Sequence, residues 1–246
     1  MKLQRNKPLR PRLPNPCIVR VIGLGGVGSI VARYGAVFLA SMQQNSVLTL
    51  VDGDSFEPSN STRMVFGRCG NKAGVIHREL SSRFKHSKLS MDWFSEYITP
   101  GNIDDLIIPG DIVLLCVDNH ATRRMVNEHC KTLKNICLIS GGNDGVDKDH
   151  RGTYGNAQIY VRKNGKDITA DLAAFHPEIA HPRDRMPFEP SCTALVASTP
   201  QILFSNLAVA SAMLNTLLLY LSNATHYGEL CFDIAEGRMA PTIGVK

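Results

Sequence analysis

Val21-Ile22-Gly23-Leu24-Gly25-Gly26-Val27-Gly28-Ser29 decides how this chain of 246 residues is read. The apolar run Cys17–Leu24 enters the glycines, and a helical pattern leaves them, with Ile30, Tyr34, Val37 and Phe38 on one side of Ser29–Ser41. Glycines between a strand and a helix permit a tight turn and close approach of a ligand. The free N–H groups of the helix start attract phosphate. Asp52 closes the next apolar run, Val47–Val51, where an acidic side chain can meet a ribose hydroxyl. Gly23, Gly25, Gly26, Gly28 and Asp52 are therefore candidate nucleotide contacts. Taken alone, the pattern serves a dehydrogenase equally well.

Outward from this unit the alternation continues. Lys72–Phe84 and Ala121–Leu133 read as helices, and Lys88–Phe94, Asp111–Val117 and Asn135–Ile139 as strands, the last ending in Ser140-Gly141-Gly142. Strands alternating with helices predict a Rossmann-like α/β fold: a mostly parallel sheet with helices on both faces. The second half reads differently. Gly155–Val161 and Glu229–Ile234 predict an antiparallel C-terminal extension, and Lys163–Pro190 a long loop, part of an irregular crossover segment near 163–192. Thr199–Leu221 reads as an apolar helix. Ser205, Asn206, Ser211 and Asn215 interrupt its apolar run, so a buried helix is expected, with no membrane association.

The organisation expected is a basic, Pro-rich arm over residues 1–16 and a single domain over 17–246. Lys2, Arg5, Lys7, Arg10 and Arg12 stand among Pro8, Pro11, Pro14 and Pro16, which favours an extended arm. That arm carries much of the formal charge of +5, and it lacks the aromatic residues that stack on bases. A hydrophobic share of 43% and a charged share of 20% are those of a folded domain. The seven cysteines are scattered, with no CxxC pair for a structural zinc. Cys17, Cys116 and Cys137 read as core residues, and the dispersed thiols point to a reducing, cytoplasmic setting. His176 and His181, which flank Pro-Glu-Ile-Ala, lack further partners for a metal.

The rest of the chain separates the nucleotide readings. Asp52-Gly53-Asp54 precedes Ser59-Asn60-Ser61-Thr62-Arg63, then Gly70-Asn71-Lys72 opens a helix, and Asp118-Asn119 ends a strand one helical turn before Arg123. Hydride transfer has no use for an arginine, a lysine and an aspartate converging on phosphates. Attack at phosphorus does, because charge on the pentavalent centre and on leaving pyrophosphate must be held. Asp118-Asn119 also suits a helix cap, and Arg123 reads as a charge on the helix surface.

In this order and spacing, GxGGxGS (Gly23 to Ser29), DxD followed by SNxxR (Asp52 to Arg63), GxK (Gly70 to Lys72) and DNxxxR (Asp118 to Arg123) resemble the E1-like ThiF/MoeB adenylyltransferases. The resemblance implies ATP-dependent adenylation of the C-terminal carboxylate of a ubiquitin-like or sulfur-carrier protein. It implies Mg²⁺ on Asp118 and a homodimer or pseudodimer. Gly25 to Gly28 would cradle phosphates, Asp52 would hold the ribose, and Asp54 and Asn119 would border the nucleotide. Asn60 and Arg63 would bind phosphates, and Lys72 would steady the α-phosphate. Cys192, in Glu189-Pro190-Ser191-Cys192-Thr193, is either a thioester nucleophile or a structural cysteine. Three departures mark a divergent branch: Met64 after Arg63, a short interval from Arg63 to Lys72, and no zinc motif. Alternatives are an enzyme adenylating a modified tRNA nucleoside, the one case that makes nucleic acid a partner, an NAD(P)-dependent oxidoreductase, and an inactive E1-like scaffold.

Overall fold

The computed structural model describes residues 8–61, 64–189 and 201–243. Its frame is a sheet in the order β11-β10-β8-β7-β6-β1-β2-β5. The parallel core consists of β1 (Ile18–Ile22), β2 (Ser46–Val51), β5 (Leu89–Phe94), β6 (Ile112–Leu115) and β7 (Ile136–Asn143). Then β8 (Tyr154–Lys163), β10 (Glu229–Asp233) and β11 (Arg238–Thr242) continue it antiparallel. The short pair β3 (Ser55–Phe56) and β4 (Gly70–Asn71) stands apart, and β9 (Lys166–Asp167) edges β8.

The sheet has period two, so alternate side chains go to opposite faces. Val19 and Val21 of β1 join Leu48, Leu50, Ile112, Leu114 and Ile139 in one core, closed by α1 (Gly28–Ser41), α2 (Lys72–Phe84) and α7 (Leu203–Leu221). Ile22, Val51, Val113, Leu115 and Leu138 face the other core. There α3 (Ile103–Leu106), α4 (His120–Thr132), α5 (Leu172–Phe175) and α6 (Pro177–Ala180) cover them. Arg20 points to this second face and pairs with Asp111, both buried. A buried charge left without its partner is costly, so the pair fixes β1 against β6.

α7 buries Val209, Ala210, Met213 and Leu217 against the sheet, along with Ser205, Asn206 and Thr216. Its outer side leaves Phe204 68% and Leu207 41% exposed; on α1, Tyr34 is 62% exposed.

Two expectations need correction. β7 does not stop at Ile139 but runs to Asn143, because β8 folds back and pairs with it through Asn143↔Gly155. The segment 163–190 is not a long loop. Leu172 and Ile179, each 1% exposed, pin two short helices onto α4, and Asn127 Oδ1 accepts the Leu172 N–H.

Candidate active site

The five parallel strands end along one edge of the sheet, and antiparallel β8 begins there. The chain leaves β1 toward β2 on one side, and β6 lies on the other. Such a switch point opens a crevice at the strand ends. A cavity of about 430 Å³ occupies it, lined in turn by the loops after β5, β2, β1, β6 and β7 and by the start of β8. With strands about 4.8 Å apart, β2 to β8 spans about 19 Å.

At the β1–β2 end the glycine loop turns at Gly23, whose φ of +83° favours glycine, with the Cys116 backbone 3.1 Å from where a Cβ would stand. Gly28 leaves even less room: a Cβ there would lie 1.8 Å from the Gly23 carbonyl oxygen. Gly28 therefore serves the close packing of α1 on β1 and does not line the cavity. Gly23, Gly25 and Gly26 do. The buried Asp52 carboxylate accepts N–H bonds from Leu24 and Asp54, tying the glycine loop to the end of β2. Burial raises its pKa; the charge of Lys72 and the two N–H bonds partly offset this.

Lys72 opens α2, 7% exposed, with its Nζ 2.9 Å from Asp54 Oδ2. The other oxygen of Asp54 accepts the Tyr97 hydroxyl. Desolvation works to raise the Asp54 pKa, but these two partners outweigh it and hold the carboxyl below its ordinary value. Asn71 fixes the arrangement by capping α2 through the Gly74 N–H and donating to the Asp52 and Asp54 carbonyls.

The β6 end brings Asp118, exposed and lining the cavity, and Asn119, whose Oδ1 caps α4 at the Thr122 N–H. Asp184 from the crossover segment caps the same helix, accepting the His120 and Ala121 N–H groups. Arg123 corrects the sequence reading. It is not a surface charge but 8% exposed, lying under the cavity and donating to the Val117 and Gly141 carbonyls. Among the described residues no carboxylate forms an ion pair with it. Its charge therefore favours an anion above. Cys116 lines the cavity too, but burial pushes its thiol up to about 12, which leaves no nucleophilic thiolate near neutral pH.

The β7–β8 end carries groups that no nucleotide motif announced. Asn143 ends β7 with both amide atoms buried and without a hydrogen-bond partner. Thr122, in the first turn of α4 and 2% exposed, also lines the cavity with an unpartnered hydroxyl. Asp144 follows Asn143. Nearby, His176 Nδ1 lies 2.8 Å from Glu178 and its Nε2 2.6 Å from the buried Glu229, which also accepts from Asn156. The hydrogen bond to Glu229 outweighs burial and raises the His176 pKa.

Gly23, Gly25, Gly26, Asp52, Asp54, Lys72, Asp118 and Asn119 thus line one cavity. Asn60 does not: its side chain accepts the Glu57 N–H. Arg63 and Cys192 lie outside the described residues. Sequence reasoning missed Tyr97, Asn143 and the His176 cluster. Tyr97 lies beyond the expected end of β5, and the His176 cluster joins residues from β8, the crossover segment and β10.

The ThiF family profile matches residues 15–236. The chain belongs to the ThiF family. It is similar to the adenylyltransferase and sulfurtransferase MOCS3 of Drosophila persimilis, 34% identical over 127 residues, which cover 50% of this chain and 26% of that protein. The Sus scrofa MOCS3 is 33% identical over 114 residues, covering 46% and 24%. The ThiF-family chain thus spans about a quarter of the length of these relatives. The fold is similar to that of E. coli MccB solved with ATP, at a TM-score of 0.67 and 18% identity, over 95% of this chain and 66% of that one. PaaA is similar at a TM-score of 0.65 and 16% identity, over 94% and 64%.

Proposed function

We propose that this ThiF-family chain is an ATP-dependent adenylyltransferase that activates a carboxylate, and that the carboxylate is the C-terminus of a small ubiquitin-like or sulfur-carrier protein. One observation carries the reading. A single cavity joins a glycine loop, Lys72, Asp118 and an Arg123 that forms no ion pair among the described residues at one strand edge, then continues past β7 into a polar half that a nucleotide's phosphates do not need. An oxidoreductase has no use for that set of charges.

In this reading the ribose lies by Asp52 and the phosphates lie over the glycine loop, where backbone N–H groups and the start of α1 favour anions. A carboxylate oxygen entering from the β7–β8 side attacks the α-phosphorus. The bond from that phosphorus to pyrophosphate breaks, and the product is an acyl-adenylate. Lys72 leaves Asp54 for the α-phosphate as charge develops there, and Arg123 holds the incoming carboxylate from beneath. The exposed Asp118 has the chemistry for Mg²⁺, which favours one or two carboxylates together with phosphate oxygens and water. When bound, the ion neutralises phosphate charge. The exposed Phe204 and Leu207 of α7 are proposed to meet a second copy; light scattering on the purified chain checks this, with a monomer as the contrary result.

The test is exchange of labelled pyrophosphate into ATP by purified protein with Mg²⁺, with and without small carrier proteins ending in Gly-Gly. Carrier-dependent exchange is expected. ATP binding without exchange for any carrier would reject the substrate class, and a lack of ATP binding would reject the adenylation reading.

A further inference from the structure

The half of the cavity beyond β7 has its own chemistry. Asn143 has a donor and an acceptor, both buried and unpartnered, and a turn of its amide toward the cavity it lines would present them to the N–H and C=O of one peptide group. Thr122, in the first turn of α4, adds an unpartnered hydroxyl to the cavity lining. Around them the charges are mostly negative. Asp144 lines the cavity, and no ion pair is formed with it among the described residues by lysine, arginine or histidine. Glu178 and Glu229 share one imidazole, so even a protonated His176 leaves that cluster at net −1.

Distance connects this wall to the reacting end. Arg123 lies beneath the β6–β7 strand ends, where it bonds Val117 and Gly141. Two residues of extended chain span about 7 Å, roughly one and a half strand spacings. A peptide with its carboxylate above Arg123 therefore carries its third residue from the end to the carboxylates beyond β7.

The geometry points to a charge filter: Asn143 reads the terminal peptide group, and Asp144 with Glu178 selects an acyl peptide whose third residue from the C-terminus is basic and rejects one in which it is acidic. The filter rests on the adenylation reading for the direction in which the peptide enters. Burial raises the Asp144 pKa, as expected of a carboxylate whose cation has yet to arrive.

The experiment uses the full chain and three fluorescein-labelled pentapeptides, Ser-Leu-Xaa-Gly-Gly with free carboxylates, where Xaa is Lys, Ala or Glu. Binding is read by anisotropy with a non-hydrolysable ATP analogue, and turnover by pyrophosphate exchange with ATP. The lysine peptide is expected to bind about tenfold more tightly than the glutamate peptide, with the alanine peptide between. Asp144→Lys should reverse that order, and Asn143→Ala should weaken all three alike. Equal binding of the three peptides, or an order that survives Asp144→Lys in a folded variant, would overturn the filter. Ranked binding without exchange would keep the filter and reject adenylation. Equal exchange with all three would keep adenylation and reject the filter. If no peptide binds, both fall. Asp144→Asn, which removes charge at nearly constant volume, should flatten the ranking, so the test holds if the lysine variant misfolds.

Discussion

At the β1–β2 end of the cavity the polar side chains are already spoken for. Lys72 lies on Asp54, Asp54 also holds Tyr97, and Asp52 gathers the Leu24 and Asp54 N–H groups. At the β7–β8 end, Asn143 keeps both buried amide atoms without partners, and Asp144 lines the cavity without an ion pair among the described residues. The ion pair with Asp54 holds Lys72 in the cavity until charge develops on the α-phosphate, which suits the place where chemistry occurs. Unpartnered buried groups cost free energy until a ligand completes them, which suits the place where a substrate is recognised. The contrast assigns kcat to one end and substrate KM to the other.

Lys72→Ala is the largest test of that division. It removes the cation of the prepaired end, and pyrophosphate exchange should fall by about 10²–10³-fold, with the KM for the carboxylate substrate little changed. The fold should persist, since Asp54 is half-exposed and retains Tyr97. Near-wild-type exchange by a folded variant would remove Lys72 from the chemistry. A rise confined to the carboxylate KM would break the contrast itself.

A smaller effect is expected from Tyr97→Phe. The ring, packed on Gly53, is retained, but Asp54 loses a hydrogen bond and settles more fully on Lys72. One hydrogen bond is worth about 0.5–1.5 kcal/mol, so the KM for ATP should rise about two- to tenfold. Steady-state kinetics with varied ATP reads this, and an unchanged KM would show that Tyr97 does not restrain Asp54.

The prepaired end was legible in the sequence because its parts lie at strand ends and helix starts, where glycine, aspartate and lysine have few other reasons to recur in that order. Gly28 and Asn119 show the limit of such reading. Both are required by the local structure, one for helix–strand packing and one as a cap, whatever the ligand. Arg123 was misread because the helical pattern could not show that β7 would extend to Gly141 and offer it a carbonyl. The recognition end was not legible. Asn156, His176 and Glu229 meet only after β8 turns back along β7 and β10 pairs with β8. No local spacing encodes that meeting.

The smallest expected effect separates the two ends by pH. The His176 pKa is raised above 6.5, chiefly by Glu229, so the native state binds its proton more tightly than the unfolded chain does. The stability this contributes is fully present below pH 6.5 and is lost as pH rises through the folded-state value. Asp54 has the opposite sign: its pKa lies below 3.8, so its contribution is present above that pH and is lost as pH falls through the lowered value. Thermal melts should therefore decline by about a few degrees on the alkaline side from the recognition end alone, and on the acid side from the prepaired end together with Glu178 and Glu229, whose carboxyls also lie below their ordinary values. Glu229→Gln should flatten the decline above pH 6.5 and also part of the acid limb, because, against burial, His176 and Asn156 hold the Glu229 carboxyl below its ordinary value. Asp54→Asn should flatten only the acid limb below pH 4. If Asp54→Asn flattened the alkaline decline as well, the two ends would be one coupled network, and dividing recognition from chemistry along the cavity would have to be abandoned.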